Sequence, residues 1–591
     1  MIVPMKRISI LCLSRDAEDA ISKLRSMGVL HVEHAQEPKG EDLSGLLDDL
    51  SLVKEALAII SEKEFLEHGC EDKGGVPSDW RAVARRIIAD RKRFDQLNDY
   101  SRSLRASIVQ WQEWGDFEPS EIEELAAKNI FLRLYAIPEK ELSKLPGDAV
   151  VRVLSTRAGT AYCCIVSREK TDIPFKELVL PRSSLTDMGT RLMEDKKTIL
   201  AVQNDIRKWS CYRGSFLNIA LAFEKELEFH EAIRGMGNVG ELAYVNGFIP
   251  FDSEDDILEK AKKEQWGILI TEPLPDEQVP TLIRNPKWVS ILQPLIKLLE
   301  ILPGYTELDT SPIFLIFFSL FFGIIIGDAG YGLLYLLITV LLQRKFGANM
   351  PDKRIFSLMY VLSLCAIAWG VLTGTFFGQA WLVTTGIKAL VPVLNDPVFV
   401  QSMCFLIGAT HLSLAHAWRF IVQLPSLTAL AELGWISILW AAFFLVKMLL
   451  LGAEFPFFGK YMIIGGISLV VLFSCPRRNF LLTIAAGLGN IALSIMNSFG
   501  DIVSYVRLFA VGLAGVAISD AFNSMAQGAA GSGMFGFIAA GLILLAGHTL
   551  NFVLSPMSVL VHGVRLNVLE FSGHAGVTWS GMAYKPLKKE G

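Results

Sequence analysis

Residues 490–520 read NIALSIMNSFGDIVSYVRLFAVGLAGVAISD and place one arginine, Arg507, inside a run otherwise apolar enough to cross a membrane. A charge at a bilayer centre costs from about 2.5 to over 10 kcal/mol, so an ionisable residue in a span faces protein, water or a partner. Arg507 therefore reads as a working group, with snorkelling or a structural ion pair as the plainer alternative. Asn490, Ser494, Asn497, Asp501, Ser504 and Arg507 recur at three- and four-residue steps and so line one face of a helix. Beyond the arginine, Ala510, Gly512, Ala514, Gly515 and Ala517 are small, which lets a second helix approach closely.

A second stretch, GHTLNFVLSPMSVLVHGVRL at residues 547–566, repeats the pattern: His548, Asn551, Ser555, Ser558, His562 and Arg565 follow steps of three and four. Polar glue between packed helices accounts for the serines and the asparagine, but not for an added arginine and two histidines.

Residues 504–510 (SYVRLFA) with Gly512-Leu513-Ala514, and residues 562–566 (HGVRL), resemble the two signature segments of the large membrane stator subunit of rotary V-type and archaeal-type ATPases, called subunit a or, in prokaryotes, subunit I. Residues 322–332 (FGIIIGDAGYG), residues 374–378 (GTFFG) and the linker at 280–310 are similar to the same family. The likeness spans the chain, in specific motifs over the membrane half and mainly in architecture before it.

Outward from these stretches, the 591 residues are split in character, with nearly all charges before Asp309 and long apolar runs after it. A net charge of -5 and the lack of a basic block give no case for nucleic acid. The eight cysteines show no paired metal spacing and read as reduced thiols. The opening residues have no long apolar region of a secretory signal, so the N-terminus is expected in the cytoplasm.

Residues 1–305 are expected to form an α+β soluble arm. Residues 5–12 and 29–33 read as strands around a helix at 16–27, and residues 241–271 as strand, helix and strand that could pair beside them. A second small lobe is expected at 129–180. Between them, Leu43, Leu46, Leu50, Val53, Leu57 and Ile60, and later Leu185, Leu192, Ile199 and Ile206, keep a seven-residue beat, so helices over 42–115 and 183–235 should pack as a shaft and complete a dumbbell. No GxxxxGK[ST] occurs, so ATP is expected to bind elsewhere and no cofactor is assigned.

Residues 306–591 are expected to be an all-α polytopic membrane domain of about eight helices, the last two long and tilted. The apolar run 312–342 is too long for one upright span, and a break at Gly327-Asp328 divides it into a hairpin. Later spans near 356–383, 399–422, 433–451, 461–475, 491–525 and 535–569 then leave Lys353, Arg354, Arg419, Arg477, Arg478 and Lys588 on the cytoplasmic side, with both termini there too. Ser413, His416, Arg419 and Gln423 share a face near that side; Glu432 opens a span, and Asp328 sits at the hairpin turn.

The resemblance implies a stator that forms two aqueous half-channels against a ring of proteolipid subunits, anchors coiled-coil peripheral stalks, and works beside the central rotor and ATPase head in the cell membrane. It casts Arg507 as the cation facing the ring carboxylate and Arg565 as its helper. His562, Asp501, Ser504, Asn497, Ser555, Asp328 and Glu432 are candidates along the ion path. Acidic residues of the eukaryotic relatives fall here on Leu493 and Ser555, so the path is not copied wholesale, and H⁺ versus Na⁺ stays open. An autonomous secondary transporter or channel with a regulatory domain is the alternative from another class.

Overall fold

The computed structural model describes residues 1–66, 79–144, 150–157, 159–168, 175–275, 277–348, 350, 352–378, 389–474, 494–531 and 533–589. Asn490, Leu493, Arg477 and Arg478 lie outside these. The elements run β1 (Met5–Leu13), α1 (Ala17–Met27), β2 (His31–Glu33), α2 (Glu41–Ile60), α3 (Trp80–Trp111), α4 (Pro119–Ala127), β3 (Phe131–Pro138), β4 (Val150–Arg157), β5 (Thr160–Ser167), α5 (Leu185–Ser210), α6 (Arg213–Arg234), β6 (Gly237–Val239), β7 (Leu242–Pro250), α7 (Glu254–Glu264), β8 (Gly267–Thr271) and β9 (Pro280–Thr281). Two compact units emerge, one of residues 11–28, 32–246 and 587–591, the other of residues 1–10, 29–31 and 247–586.

In the first unit, α2, α3, α5 and α6 close on Leu50, Val53, Ile60, Ile87, Phe94, Val202, Ile206 and Phe216. The seven-residue beat supplies this core because it returns one apolar face to the neighbouring helix on every second turn. Asp79 accepts from the amide of Ala82 to start α3, and Ser184 from that of Asp187 to start α5. The lobe at 129–180 is a three-stranded antiparallel sheet, β3-β5-β4, cored by Tyr135, Ile137, Cys163 and Ile165. Burial pushes the Cys163 and Cys164 thiols up and keeps them protonated. Cys211 is disulfide-bonded, against the reduced reading of all eight cysteines. The remaining sheet, whose strand β8 belongs to the second unit, runs β2-β7-β1-β8 with β6 beside β7, so β7 and β8 flank β1 as the strand-helix-strand pattern suggested.

The second unit continues with α8 (Lys287–Ser290), α9 (Gln293–Leu299), α10 (Ser311–Ile326), α11 (Ala329–Phe346), α12 (Arg354–Thr373), α13 (Pro397–Gln423), α14 (Ala429–Leu451) and α15 (Gly459–Phe473). It ends in α16 (Ser494–Ala530), α17 (Gly533–Ala575) and β10 (Met582–Ala583), which pairs in parallel with β9. Helices α12, α13, α14, α16 and α17 are long and apolar enough to cross a membrane, and α10 and α15 are shorter apolar helices. The break in the apolar run falls where expected: Gly327, at φ +65°, closes α10, and Asp328 caps α11. In the span placed at 356–383, α12 ends at Thr373, where Gly374 turns left-handed, and residues 379–383 lie outside the described ones.

Helix α10 is buried on nearly every side. Its Phe314, Phe318, Phe321 and Ile325 meet Leu362 of α12, Phe405 and Leu412 of α13, Tyr505 and Leu508 of α16, and Val559 and Leu566 of α17. The small residues beyond Arg507 permit this: a Cβ on Gly512 would stand 2.7 Å from the Ile324 carbonyl oxygen.

Candidate ion-translocation site

The last helix is regular from Gly533 to Ser558, passes through π-helical turns at Val559–Gly563 and Leu566–Phe571, and ends on Ser572–Ala575. Pro556 lacks the N–H that the Phe552 carbonyl would accept, and the Tyr335 hydroxyl of α11 donates to that oxygen instead, at 2.7 Å. Asn567 donates to Gly563 O and Ser572 to Asn567 O, which satisfies carbonyls in the widened turns. Residues five apart lie about 140° apart on an ordinary helix but nearly stack in π turns, so Arg565 Nε reaches Glu570 Oε1 at 3.4 Å.

Across from it, Arg507 Nη2 donates to the same Glu570 oxygen at 2.9 Å while its Nε donates to the Ser504 carbonyl at 3.1 Å. Glu570 is buried, whereas Arg507 keeps 23% and Arg565 52% of its side chain exposed. One buried acid thus holds two cations, leaving an outward-facing excess positive charge. Arg507 is neither unpaired nor shut in.

Two hydrogen-bonded rows of polar side chains tie α16 and α17 to neighbouring helices. In the first, Asp501 Oδ2 meets His574 Nε2 at 3.0 Å, His574 Nδ1 meets His416 Nε2 at 2.9 Å, and His416 Nδ1 meets Glu432 Oε2 at 2.6 Å. Arg419 donates to Glu432 Oε1 at 3.0 Å and to the His574 carbonyl at 3.2 Å. A cavity of about 320 Å³ lined by Ser494, Asn497, Asp501, His574, His416 and Arg419 opens onto this row. In the second, Ser555 donates to Asn551, Asn551 to Ser519 at 2.8 Å, and the Tyr331 hydroxyl bridges Ser519 at 2.9 Å and His548 at 2.6 Å. His548 then meets Asn523 at 3.1 Å, beside a cavity of about 770 Å³ lined by Asn523, Gln527, Phe377 and His548.

Of the residues singled out in the sequence, Arg507 and Arg565 share the Glu570 cluster, Asp501, Asn497 and Glu432 belong to the first row or its cavity, and Ser555 ends the second. His562 is half-buried, with Nδ1 lacking a hydrogen-bond partner among the described residues. Ser504 donates its hydroxyl back to Gly500 O. Asp328 borders the second row without joining its side-chain hydrogen bonds: its carboxylate accepts from the amides of Gly330, Tyr331 and Gly378 at 2.8, 3.1 and 2.9 Å, as a helix cap and loop clamp. Sequence reasoning missed Glu570, His574, Tyr331 and Asn523. The signal for Glu570 was a lone acid five residues past Arg565, which an α-helical wheel puts on the wrong face.

No family model matches the chain. The V-type ATP synthase subunit I of Borreliella burgdorferi is 31% identical over 615 residues, covering 100% of both chains. The chain belongs to the V/A-type ATP synthase subunit I family. A subunit I of Treponema pallidum is likewise 31% identical over 100% of both chains. The A-type subunit I of Methanocaldococcus jannaschii is 28% identical over 58% of this chain and 54% of its own length. A solved cytoplasmic N-terminal domain of subunit I, homolog of subunit a, of V-ATPase aligns with 45% of this chain and 100% of its own at 15% identity, with a TM-score of 0.23, too low to speak to the fold. As a subunit I, the chain is a multi-pass membrane subunit of a rotary ATPase, and its partners are other subunits of that complex.

Proposed function

We propose that this subunit I forms two ion half-channels against a proteolipid ring and anchors peripheral stalks through its soluble arm, coupling ATP hydrolysis or synthesis to transport of H⁺ or Na⁺. The observation that carries the reading is the pair Arg507 and Arg565 on one buried Glu570, on two helices that also carry two separate hydrogen-bonded rows, each beside a cavity. A guanidinium stays protonated, so Arg507 favours the charged form of a passing ring carboxylate and makes it release its ion. The same cation keeps the two rows from joining, and the ion must ride the ring between them. The exposed faces of Arg507 and Arg565, flanked by exposed Leu513, Leu554, Val561 and Leu569, fit an apolar ring partner. Eight membrane helices, α10 to α17, with both termini cytoplasmic, suit the positive loops.

The test is ATP-driven pumping into inverted vesicles alongside subunit recovery. Arg507→Ala abolishes pumping while the complex assembles. Arg507→Lys is severely impaired, since lysine loses the planar fork and deprotonates more readily in a desolvated site. Arg565→Ala is milder. Near-normal pumping by Arg507→Ala ends the proposal.

A further inference from the structure

We propose that His411 of α13 is a positioning residue that sets Arg507 against Glu570. The reading rests on the role proposed for Arg507. The His411 ring is fully buried and lies between two phenylalanines, 3.8 Å from the centroid of Phe317 at 17° and 4.4 Å from that of Phe571 at 8°. Phe571 directly follows Glu570. At the edge of the same ring, Nδ1 is 2.8 Å from the hydroxyl of Tyr505, two residues before Arg507. One imidazole on a third helix therefore grips both helices that build the ion pair, each within two residues of a member.

The surroundings show that this grip is specific. Helix α16 leaves its regular turn at one residue, Tyr505, where the amides of Tyr505 and Leu508 bond to carbonyls three residues back rather than four. Tyr505 is fully buried, and one turn before His411 on α13 a Cβ on Gly408 would stand 2.7 Å from its ring, so α13 seats the tyrosine by shape as well as by hydrogen bond. Meanwhile His411 Nε2 is buried with no hydrogen-bond partner among the described residues. A buried polar atom left without a partner destabilises the fold. Were packing the whole role, phenylalanine would fill the same slot between Phe317 and Phe571 and remove that penalty.

This difference supplies the test, made on the whole complex in vesicles, reading charge translocated per ATP hydrolysed. His411→Phe keeps the stack and removes the bond to Tyr505; Tyr505→Phe removes the same bond from the other side. Each is expected to lower charge per ATP at least threefold in the assembled complex, with the double variant no worse than either single one. Gly408→Ala, which displaces the Tyr505 ring by crowding, gives the same loss. Unchanged charge per ATP in assembled His411→Phe, or losses that multiply in the double variant, overturns the proposal; poor assembly leaves the same ratio to be read on the fraction that forms. Arg507→Ala run in parallel separates the two readings. If it pumps, the role of Arg507 is wrong; if it is dead while His411→Phe couples normally, only the positioning role fails.

Discussion

Glu570 decides how the two arginines behave. Glu570 is 4% exposed, so its attraction to the two guanidiniums is screened less than in a surface ion pair, and removing a partner leaves buried charge uncompensated. Glu570→Gln keeps the shape and removes the charge, leaving two like charges facing each other. The variant should lower ATP-driven pumping at least tenfold, more than Arg565→Ala, while the complex still assembles; pumping rates normalised to subunit recovery check the order. Arg507 and Arg565 were legible as residues that no apolar helix carries without reason. Their acid was not, since its partnership with Arg507 spans 63 residues and the periodicity of either segment says nothing about which helix faces which.

Among elements, the hairpin α10–α11 turns on Asp328. Three amides converge on its carboxylate in a buried site, one of them from Gly378 across the fold. Asp328→Ala leaves all three without an acceptor and should destabilise the membrane unit by about 2–4 kcal/mol, combining a lost cap with buried orphan donors. Asp328→Asn keeps an acceptor oxygen and should be milder. If the residue is a cap, the Asn variant lowers thermal stability of the detergent-solubilised complex yet pumps normally; an ion-path role would give stable protein that does not pump. The need for a break was readable from the length of the run, and its place from the Gly327-Asp328 pair. The π turns of α17 were not: Pro556 marks a lost hydrogen bond, but its repair comes from Tyr335 on another helix, and the wider turns beyond it are satisfied by Asn567 and Ser572.

At the scale of the molecule, the segment after α17 folds back on the linker before α10. Thr578 donates its amide and hydroxyl to Glu307 at 2.8 and 2.5 Å, Gly304 donates at 2.7 Å, and β10 pairs with β9. Burial works against ionisation of Glu307, but these hydrogen bonds outweigh it and hold its carboxyl below the usual glutamate range. A depressed carboxylate stabilises in full above its unfolded value, about 4.3, and loses that contribution as pH falls through the lower folded value. Amide exchange at Thr578 and Gly581, corrected for its intrinsic pH dependence, should therefore accelerate as pH drops below about 4, and Glu307→Gln should remove the pH effect. On the proposed topology, with native cysteines removed, Lys353→Cys and Lys588→Cys should both resist an impermeant thiol reagent applied outside the cell, and labelling of one alone would reverse the spans that follow. The sequence by itself determined the division into a charged arm and an apolar half, the seven-residue beat of the arm helices, the split of the first apolar run and the two arginines, because composition and periodicity are local and each segment carries its own. Only the tertiary structure decided that Arg507 and Arg565 share Glu570, that Asp501 reaches Glu432 through two histidines from different helices, and that His411 touches both sides of the pair. Those pairings depend on which faces of α13, α16 and α17 meet, and on a helix that leaves its 3.6-residue period where the chemistry is assembled.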